Sequence, residues 1–234
     1  TFVAMAADVP SGESLILRYI EASGGAAAYA KAKGILLEGT VEMEGRNISG
    51  PLMIAESGDK SYTSMDFAGI GKIEQGFDGS VAWQASALQG PRLLEGEEKA
   101  AARRSSSLAL VKNWRDDYVS AKTLGAEEIG GKAAWKVEMT PKEGKPEFYY
   151  FDRDSGLLSE ISVVLSTALG DIATNVLMAD YRLVDGIRTP FRMTQQAFGQ
   201  SIVMRFSKVS YNAEIPAARF ELPAEIKALV RNQK

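Results

Sequence analysis

Apolar and polar residues alternate with a period of two along most of this chain, and breaks at Gly, Pro and Asp cut the alternation into hairpins. Between Phe148 and Tyr211 the unit repeats with little interruption. Phe148-Tyr149-Tyr150-Phe151 meets the turn Asp152-Arg153-Asp154-Ser155-Gly156, and Leu157 to Thr167 follows with Ile161, Val163 and Leu165 on one face. Ile172 to Tyr181 is read as the next strand, Asp185-Gly186 as a tight turn, Ile187 to Phe198 as the return, and Ser201 to Tyr211 as a further strand. Earlier strands are expected at Ile35 to Met43, Asn47 to Ala55, Ser61 to Ala68, Lys72 to Phe77 and Val81 to Ala85, then at Ala121 to Ile129 and through Trp135, Val137 and Met139. Gly90-Pro91 reads as the end of the first run.

The period changes to 3.6 in two places. Ser11 is a candidate N-cap for a helix whose stripe is Leu15, Ile16, Tyr19 and Ile20, broken by Gly24-Gly25 and followed by a short helical stretch from Ala26 to Lys33. Gly96 to Val119 reads as a second helix with Leu110, Val111, Trp114 and Tyr118 on its stripe and a possible split at Ser105-Ser106-Ser107. The fold class expected is mainly β with some α: a curved antiparallel sheet or incomplete β-barrel of about eleven strands, lidded by two or three helices. Residues 1–12 are set apart as a signal remnant or flexible N-terminus, 13–223 as a single domain, and 224–234 as a C-terminal tail with a helical turn at Ala224 to Val230.

With 234 residues, 45% of them hydrophobic, one domain can bury a sizeable core. So many strands present a wide apolar face, and each amphipathic helix covers only one narrow stripe of it. Either the sheet closes into a packed barrel or it curls round its helices and leaves an apolar cavity. The inward set is rich in Met, which adapts to variable partners and equally serves as gap filler in an irregular core. Candidate wall residues are Met43, Met53, Met65, Phe67, Trp83, Trp135, Phe191, Met193 and Phe206, with Leu110, Val111 and Trp114 as part of a lid.

The chain has no Cys and no His, which excludes thiolate chemistry, Cys/His zinc sites and imidazole catalysis. Its 27 basic and 30 acidic residues nearly cancel, and no basic cluster is interleaved with aromatics, so nucleic acid is not an expected partner. No apolar run is long enough to span a membrane. Ala4-Met5-Ala6 has the small-x-small pattern that ends a secretory signal, which favours export. Asp152 to Gly156 resembles the start of a calcium loop, but Val163 stands where the bidentate Glu belongs, and a hairpin turn accounts for the residues. Gly69-Ile70-Gly71 lacks the helix a phosphate loop requires. Asp116-Asp117 and Glu97-Glu98 read as solvated faces, as do Arg103-Arg104 and the pair Arg188 and Arg192, whose competing reading is an anionic head-group site.

The order helix, Gly-Gly, helix, long meander and mid-chain helical insertion carries the hairpins Tyr150-Phe151-Asp152…Gly156-Leu157-Leu158 and Asp180-Tyr181…Asp185-Gly186-Ile187-Arg188-Thr189-Pro190. Together these resemble the bacterial outer-membrane lipoprotein-sorting (LolA/LolB-like) superfamily. Gln75 to Trp83 and Phe220-Glu221-Leu222-Pro223 are similar to its periplasmic members. The resemblance, covering about Glu13 to Pro223, implies a curved incomplete barrel lidded by helices whose concave cavity holds acyl chains. It implies a periplasmic carrier or chaperone for a lipid or other long apolar ligand, exported with its signal removed, without a cofactor or catalytic residues, and with envelope transport proteins as further partners. The same fold serves as an envelope sensor that takes a protein segment in the groove, and as a cofactor-free enzyme, so these are the alternative functions.

Overall fold

A computed structural model of the chain describes residues 9–106, 108–167 and 170–232. Residues 1–8, with the Ala4-Met5-Ala6 pattern, lie outside the described residues, as does Ser107 of the serine run. The first helix, α1 (Gly12–Ser23), begins where the Ser11 hydroxyl accepts the Ser14 N–H at 3.1 Å, the N-cap its sequence anticipates. A single turn, α2 (Ala26–Tyr29), follows the glycine pair.

Six strands then form a meander: β1 (Gly34–Met43), β2 (Ile48–Ser57), β3 (Lys60–Phe67), β4 (Gly71–Phe77), β5 (Ala82–Ser86) and β6 (Gly90–Leu94). After α3 (Gly96–Arg104), α4 (Ala109–Asn113) and a 3-10 turn (Trp114–Asp116), seven more strands follow. They are β7 (Tyr118–Ile129), β8 (Lys132–Pro141), β9 (Glu147–Asp152), β10 (Leu158–Thr167), β11 (Gly170–Val184), β12 (Ile187–Ala197) and β13 (Gln200–Tyr211). A 3-10 turn (Ala217–Phe220) and α5 (Ala224–Asn232) complete the chain. All thirteen strands belong to one antiparallel sheet in the order β6-β5-β4-β3-β2-β1-β13-β12-β11-β10-β9-β8-β7. The fold is thus mainly β, an open curved sheet with helices.

Two sequence expectations change. Gly90-Pro91 opens a strand instead of ending the run. Pro91 is tolerated because β6 pairs only with β5 and forms the sheet edge, where the missing N–H costs no ladder bond. The helix expected over Gly96 to Val119 is broken by its serines: the Ser105 hydroxyl donates to Ala102 O at 2.7 Å and the Ser106 hydroxyl to Glu56 Oε2 at 2.8 Å. Tyr118, placed on the helical stripe by its spacing, is instead the first residue of β7.

Curvature follows from the connectivity. The two sheet edges, β6 and β7, are consecutive in the sequence, and twelve inter-strand gaps of ~4.8 Å would set them roughly 58 Å apart in a flat sheet. The connecting helices and loops reach roughly 45–50 Å end to end. The sheet must therefore curl, and α3 packs on β4, β5 and β6 and also on β10, from the opposite half. Cross-strand partners share a face, so the register defines an inner surface through Tyr149, Ile161, Val176, Gln195, Ile202, Met43 and Ile48. Leu15, Ile16 and Tyr19 of α1 pack on that surface against Val137, Met139, Tyr149 and Phe151. Ala102 of α3 packs there against Phe77, Ala82 and Leu94.

The outer surface carries one further apolar row, Leu36, Ala55, Tyr62, Gly76, Trp83 and Leu93 across β1 to β6. Phe220 and Ile226 are buried against it, with Ile215, Leu222 and Leu229 beside them. The segment from residue 224 is thus a helix that packs on the sheet.

The central β1–β13 pair contains a bulge at which Gly39 follows Glu38 while Phe206 and Lys208 face them, leaving Ser207 between. A Cβ on Gly39 would stand 1.9 Å from Arg205 O. Gly39→Ala therefore forces this junction of the two meanders apart, and the expected loss is ~1–3 kcal/mol or more. Gly45→Ala, where the added atom meets nothing within 4 Å but φ is +75°, should lose only ~1 kcal/mol. Urea denaturation of both variants tests this; equal losses would contradict it.

Candidate functional site

The inner surface is not uniformly covered. Ile35, Leu37, Val41, Leu52 and Phe67 are buried on it, packed among themselves and with Phe191, Met204 and Phe206. Towards the β1–β2, β3–β4 and β12–β13 turns the same sheet face continues as Met43, Ile48, Met65, Ile70, Ile73, Met193 and Ile202, all half-buried against that core. Register makes this a continuous wall: Met193 faces Met204 and Met204 faces Val41, Ile202 faces Met43 and Met43 faces Ile48, Leu52 faces Met65 and Met65 faces Ile73.

Six of the sequence candidates, Met43, Met65, Phe67, Phe191, Met193 and Phe206, come together in this wall. Leu110, Val111, Trp114 and Trp135 join the neighbouring inner cluster under α1. Met53 and Trp83 do not belong with either. Met53 stands between inward-facing Leu52 and Ile54, and Trp83 between Ala82 and Gln84, so alternation turns both to the outer surface. Trp83 is 2% exposed there, packed with Phe220 and Ile226, and a Cβ on its partner Gly76 would come 2.6 Å from Trp83 Nε1. The period-two pattern also marks Ile48, Ile73 and Ile202 as wall residues.

A polar lock fixes α3 over the surface. Only Ala102 of that helix is buried as a core residue. Arg104 Nε and Nη2 both donate to Glu147 Oε1 at 2.9 Å, and Nη1 donates to Glu143 O at 3.0 Å. The side chains of Arg104 and Glu147 are 7% and 9% exposed. Glu147 Oε2 accepts the Tyr118 hydroxyl at 2.5 Å, and the Tyr118 and Tyr149 hydroxyls lie 2.9 Å apart. Burial raises both phenols well above their ordinary range, with Glu147 adding to the effect, so they remain protonated donors. The cluster is fully engaged beneath α3. Its chemistry is that of a structural clamp, and no local signal announces it because Arg104 and Glu147 are 43 residues apart.

Of the other charged candidates, Arg103 pairs with Asp117 and Glu98 with Arg92, while Arg188 and Arg192 are exposed. Burial alone would raise the Asp152 carboxyl, yet the Ser155 N–H and hydroxyl and the Asp154 N–H hold it below its usual value. Asp152 is thereby the anchor of a hairpin turn. Among the described residues no group of three or more metal-ligating side chains occurs.

Among the described residues two hollows open on the surface. One, about 260 Å³, is lined by Ile70, Gly71, Lys72, Ile73, Gln84, Ser86, Ala87, Leu88 and Gln89, at the end of the inner wall. The other, about 350 Å³, lies beside α5 between Leu222, Lys227, Val230 and Arg231. Both are near or below the small end of the ~300–1,000 Å³ range of small-molecule sites. Within the curl α1, α3 and α4 pack on the inner face, and neither of these two hollows is a large enclosed cavity.

No protein-family model matches the sequence, and curated proteins give no match. Two solved structures are similar over nearly their whole length. A DUF1329 family protein from Desulfovibrio piger superposes with a TM-score of 0.58 at 16% identity, over 91% of this chain and 98% of that one. A LolA superfamily protein from Nitrosomonas europaea also gives 0.58, at 12% identity, over 92% of this chain and 99% of the other. The fold is LolA-like. Among the described residues no helix is long and apolar enough to cross a membrane.

Arg104→Ala leaves Glu147 buried without its cation and should cost ~3–5 kcal/mol, whereas Arg104→Met with Glu147→Leu should recover most of that. Denaturation of the single and double variants measures the difference, and equal losses would show that the clamp is not an ion pair in effect.

Tyr19, Tyr118, Tyr149, Tyr181 and Tyr211 all have raised values, caused first by burial. An unfolded chain releases these protons near pH 10 and the folded chain retains them. Stability from these groups is complete below pH 10 and falls as pH rises beyond it. Phenolate absorbance for them should appear together with loss of structure; ionisation ahead of unfolding would contradict the burial.

Proposed function

We propose that this protein is a periplasmic carrier or chaperone that binds a lipid, an acyl chain or another long apolar ligand on the inner face of its sheet. The observation that carries this reading is the half-buried wall of Met43, Ile48, Met65, Ile70, Ile73, Met193 and Ile202, continuous with the core and left uncovered by α1 and α3. A contiguous set of half-buried apolar residues is where an apolar ligand gains burial. The LolA superfamily structure with the same fold supports a carrier role. Wall residues that are mostly Met and Ile suit chains of varied shape.

The ligand lies along the open wall, and a longer one displaces the α3–α4 segment. That segment is held by the Arg104–Glu147 and Ser106–Glu56 contacts and by the apolar contacts of Ala102, Leu108, Leu110 and Val111. A longer ligand has to replace both kinds of contact in a local opening. Trp114, half-buried at the edge of the inner cluster and covered by the Arg115 guanidinium at 4.4 Å, is the lid's aromatic contact. A protein segment taken into the same groove is the competing occupant.

Native mass spectrometry of protein purified from its own host should show co-purified lipid, and the delipidated protein should take up a fluorescent fatty acid with a rise in Tm. Met43→Glu and Met193→Glu place a charge on the wall and should abolish uptake, while the ligand-free Tm changes little. Trp114→Ala should weaken uptake and cost less than the ~3–5 kcal/mol of a core Trp truncation. No lipid and no uptake, with a stoichiometric protein recovered instead, would replace the lipid by a protein segment. A full core-type loss for Trp114→Ala with no ligand response would remove the lid.

A further inference from the structure

We propose that the hollow at the end of β4 and β5 is a head-group subsite for an uncharged, oxygen-bearing lipid head such as an acyl ester or a glycerol hydroxyl. This rests on the carrier reading above and names the class of ligand. The hollow joins the wall directly. Ile70 and Ile73, which line it, also pack on the inner cluster with Met65, and Ser86 lies directly across from Ile73 in the register. A chain lying on the wall therefore delivers its polar end here. At about 260 Å³ the space equals roughly nine water molecules at ~30 Å³ each, which suits a head group and not a whole lipid.

The polar lining consists of donors without free charge. Gln84 Oε1 accepts from Arg92 Nε at 3.1 Å and Nη2 at 2.8 Å, which fixes the amide orientation and leaves its NH₂ group to donate elsewhere. Ser86 Oγ accepts the Gln89 N–H at 3.0 Å and keeps its own proton to donate. Both residues line the hollow. The cations nearby are already matched: the Lys72 ammonium lies 2.7 Å from Glu74 Oε1, and Arg92 Nη1 lies 2.8 Å from Glu98 Oε2. Among the described lining residues Lys72 is the charged one, and alternation directs its side chain, with that of Glu74, to the outer face. An anionic head would lose hydration here without gaining an unshared cation. A carbonyl, ether or hydroxyl oxygen meets two donors. Leu88, 77% exposed at the β5–β6 turn, gives the mouth an apolar lip.

The test uses delipidated full-length protein and three probes with one chain in common: 1-monooleoylglycerol, oleate and 1-oleoyl lysophosphatidate, each below its aggregation concentration. Displacement of a chain-labelled fluorescent lipid reads their affinities. Monooleoylglycerol should bind about tenfold more tightly than either anion, consistent with one or two neutral hydrogen bonds. Ser86→Ala should reduce that preference, and Gln84→Leu with Ser86→Ala should abolish it while oleate binding is unchanged. Thermal melts check that the variants fold, and Ser86→Ala keeps the test valid should the double variant not. Equal binding of the three probes, a preference for either anion, or a neutral preference that survives both variants overturns the subsite and leaves the carrier reading standing. Failure of every probe to bind overturns both.

Discussion

Everything in this molecule depends on how the chain joins the two free edges of a single sheet. Strands β6 and β7 lie at opposite ends of thirteen, yet only residues 95–117 separate them in sequence. Wound partly into α3, α4 and a 3-10 turn, that connection is too short to cross a flat sheet, so the sheet curls and the connection lies within the curve. The helices shorten the connection, and α3 packs on the inner face against β4, β5, β6 and β10. Helix α3 is mostly charged, and it is fixed by Arg104 reaching Glu147 on β9 and by Ser106, in the loop that follows, reaching Glu56 on β2.

The two faces of the sheet then meet different fates. On the outside, the C-terminal segment packs on an apolar row across β1 to β6, with Phe220 and Ile226 buried against Tyr62 and Trp83 and with Leu36 and Leu93 half-buried. On the inside, α1 seals the aromatic half around Tyr149 and Phe151, but nothing in the described chain extends over Met43, Ile48, Met193 and Ile202 to the same depth. The chain evidently can supply a cover for an apolar surface of this kind. Among the described residues it packs a whole segment on the outer row and none on the inner residues near the β1–β2 and β12–β13 turns, and the binding proposal rests on that difference.

Much of this was legible in the residues. Alternation located the hairpins, and Ser11 and Gly24-Gly25 marked the ends of α1, since strand faces and helix caps are decided by neighbours a few positions away. What escaped was decided at long range. Pro91 ended a strand by local rule but is acceptable because β6 has a neighbour on one side only. Tyr118 had helical spacing from Leu110, Val111 and Trp114, but its hydroxyl is used by Glu147 on a strand that pairs elsewhere. Met53 and Trp83 were grouped with the inner wall by composition, while their own parity along β2 and β5 points them outwards. In that instance the pattern was the better guide than the residue type.

The inner surface also changes in stiffness along its length. Around Tyr19, Tyr118, Tyr149 and Phe151 it is built from rings in contact, with Tyr118 and Tyr149 edge-on at 6.2 Å and their hydroxyls tied to a buried carboxylate. Rings with few rotamers and satisfied polar ends hold one arrangement. The open end is built from Met and Ile, which contribute no hydrogen bonds and, in the case of Met, three adjustable torsions. A binding surface that must accept a flexible chain needs the second kind of wall, and it needs the first kind beneath it so that accommodation at the open end does not loosen the fold. The gradient from tyrosine to methionine supplies both within one sheet face, and it places the adaptable part next to the donors of Gln84 and Ser86, where an amphiphile changes from chain to head.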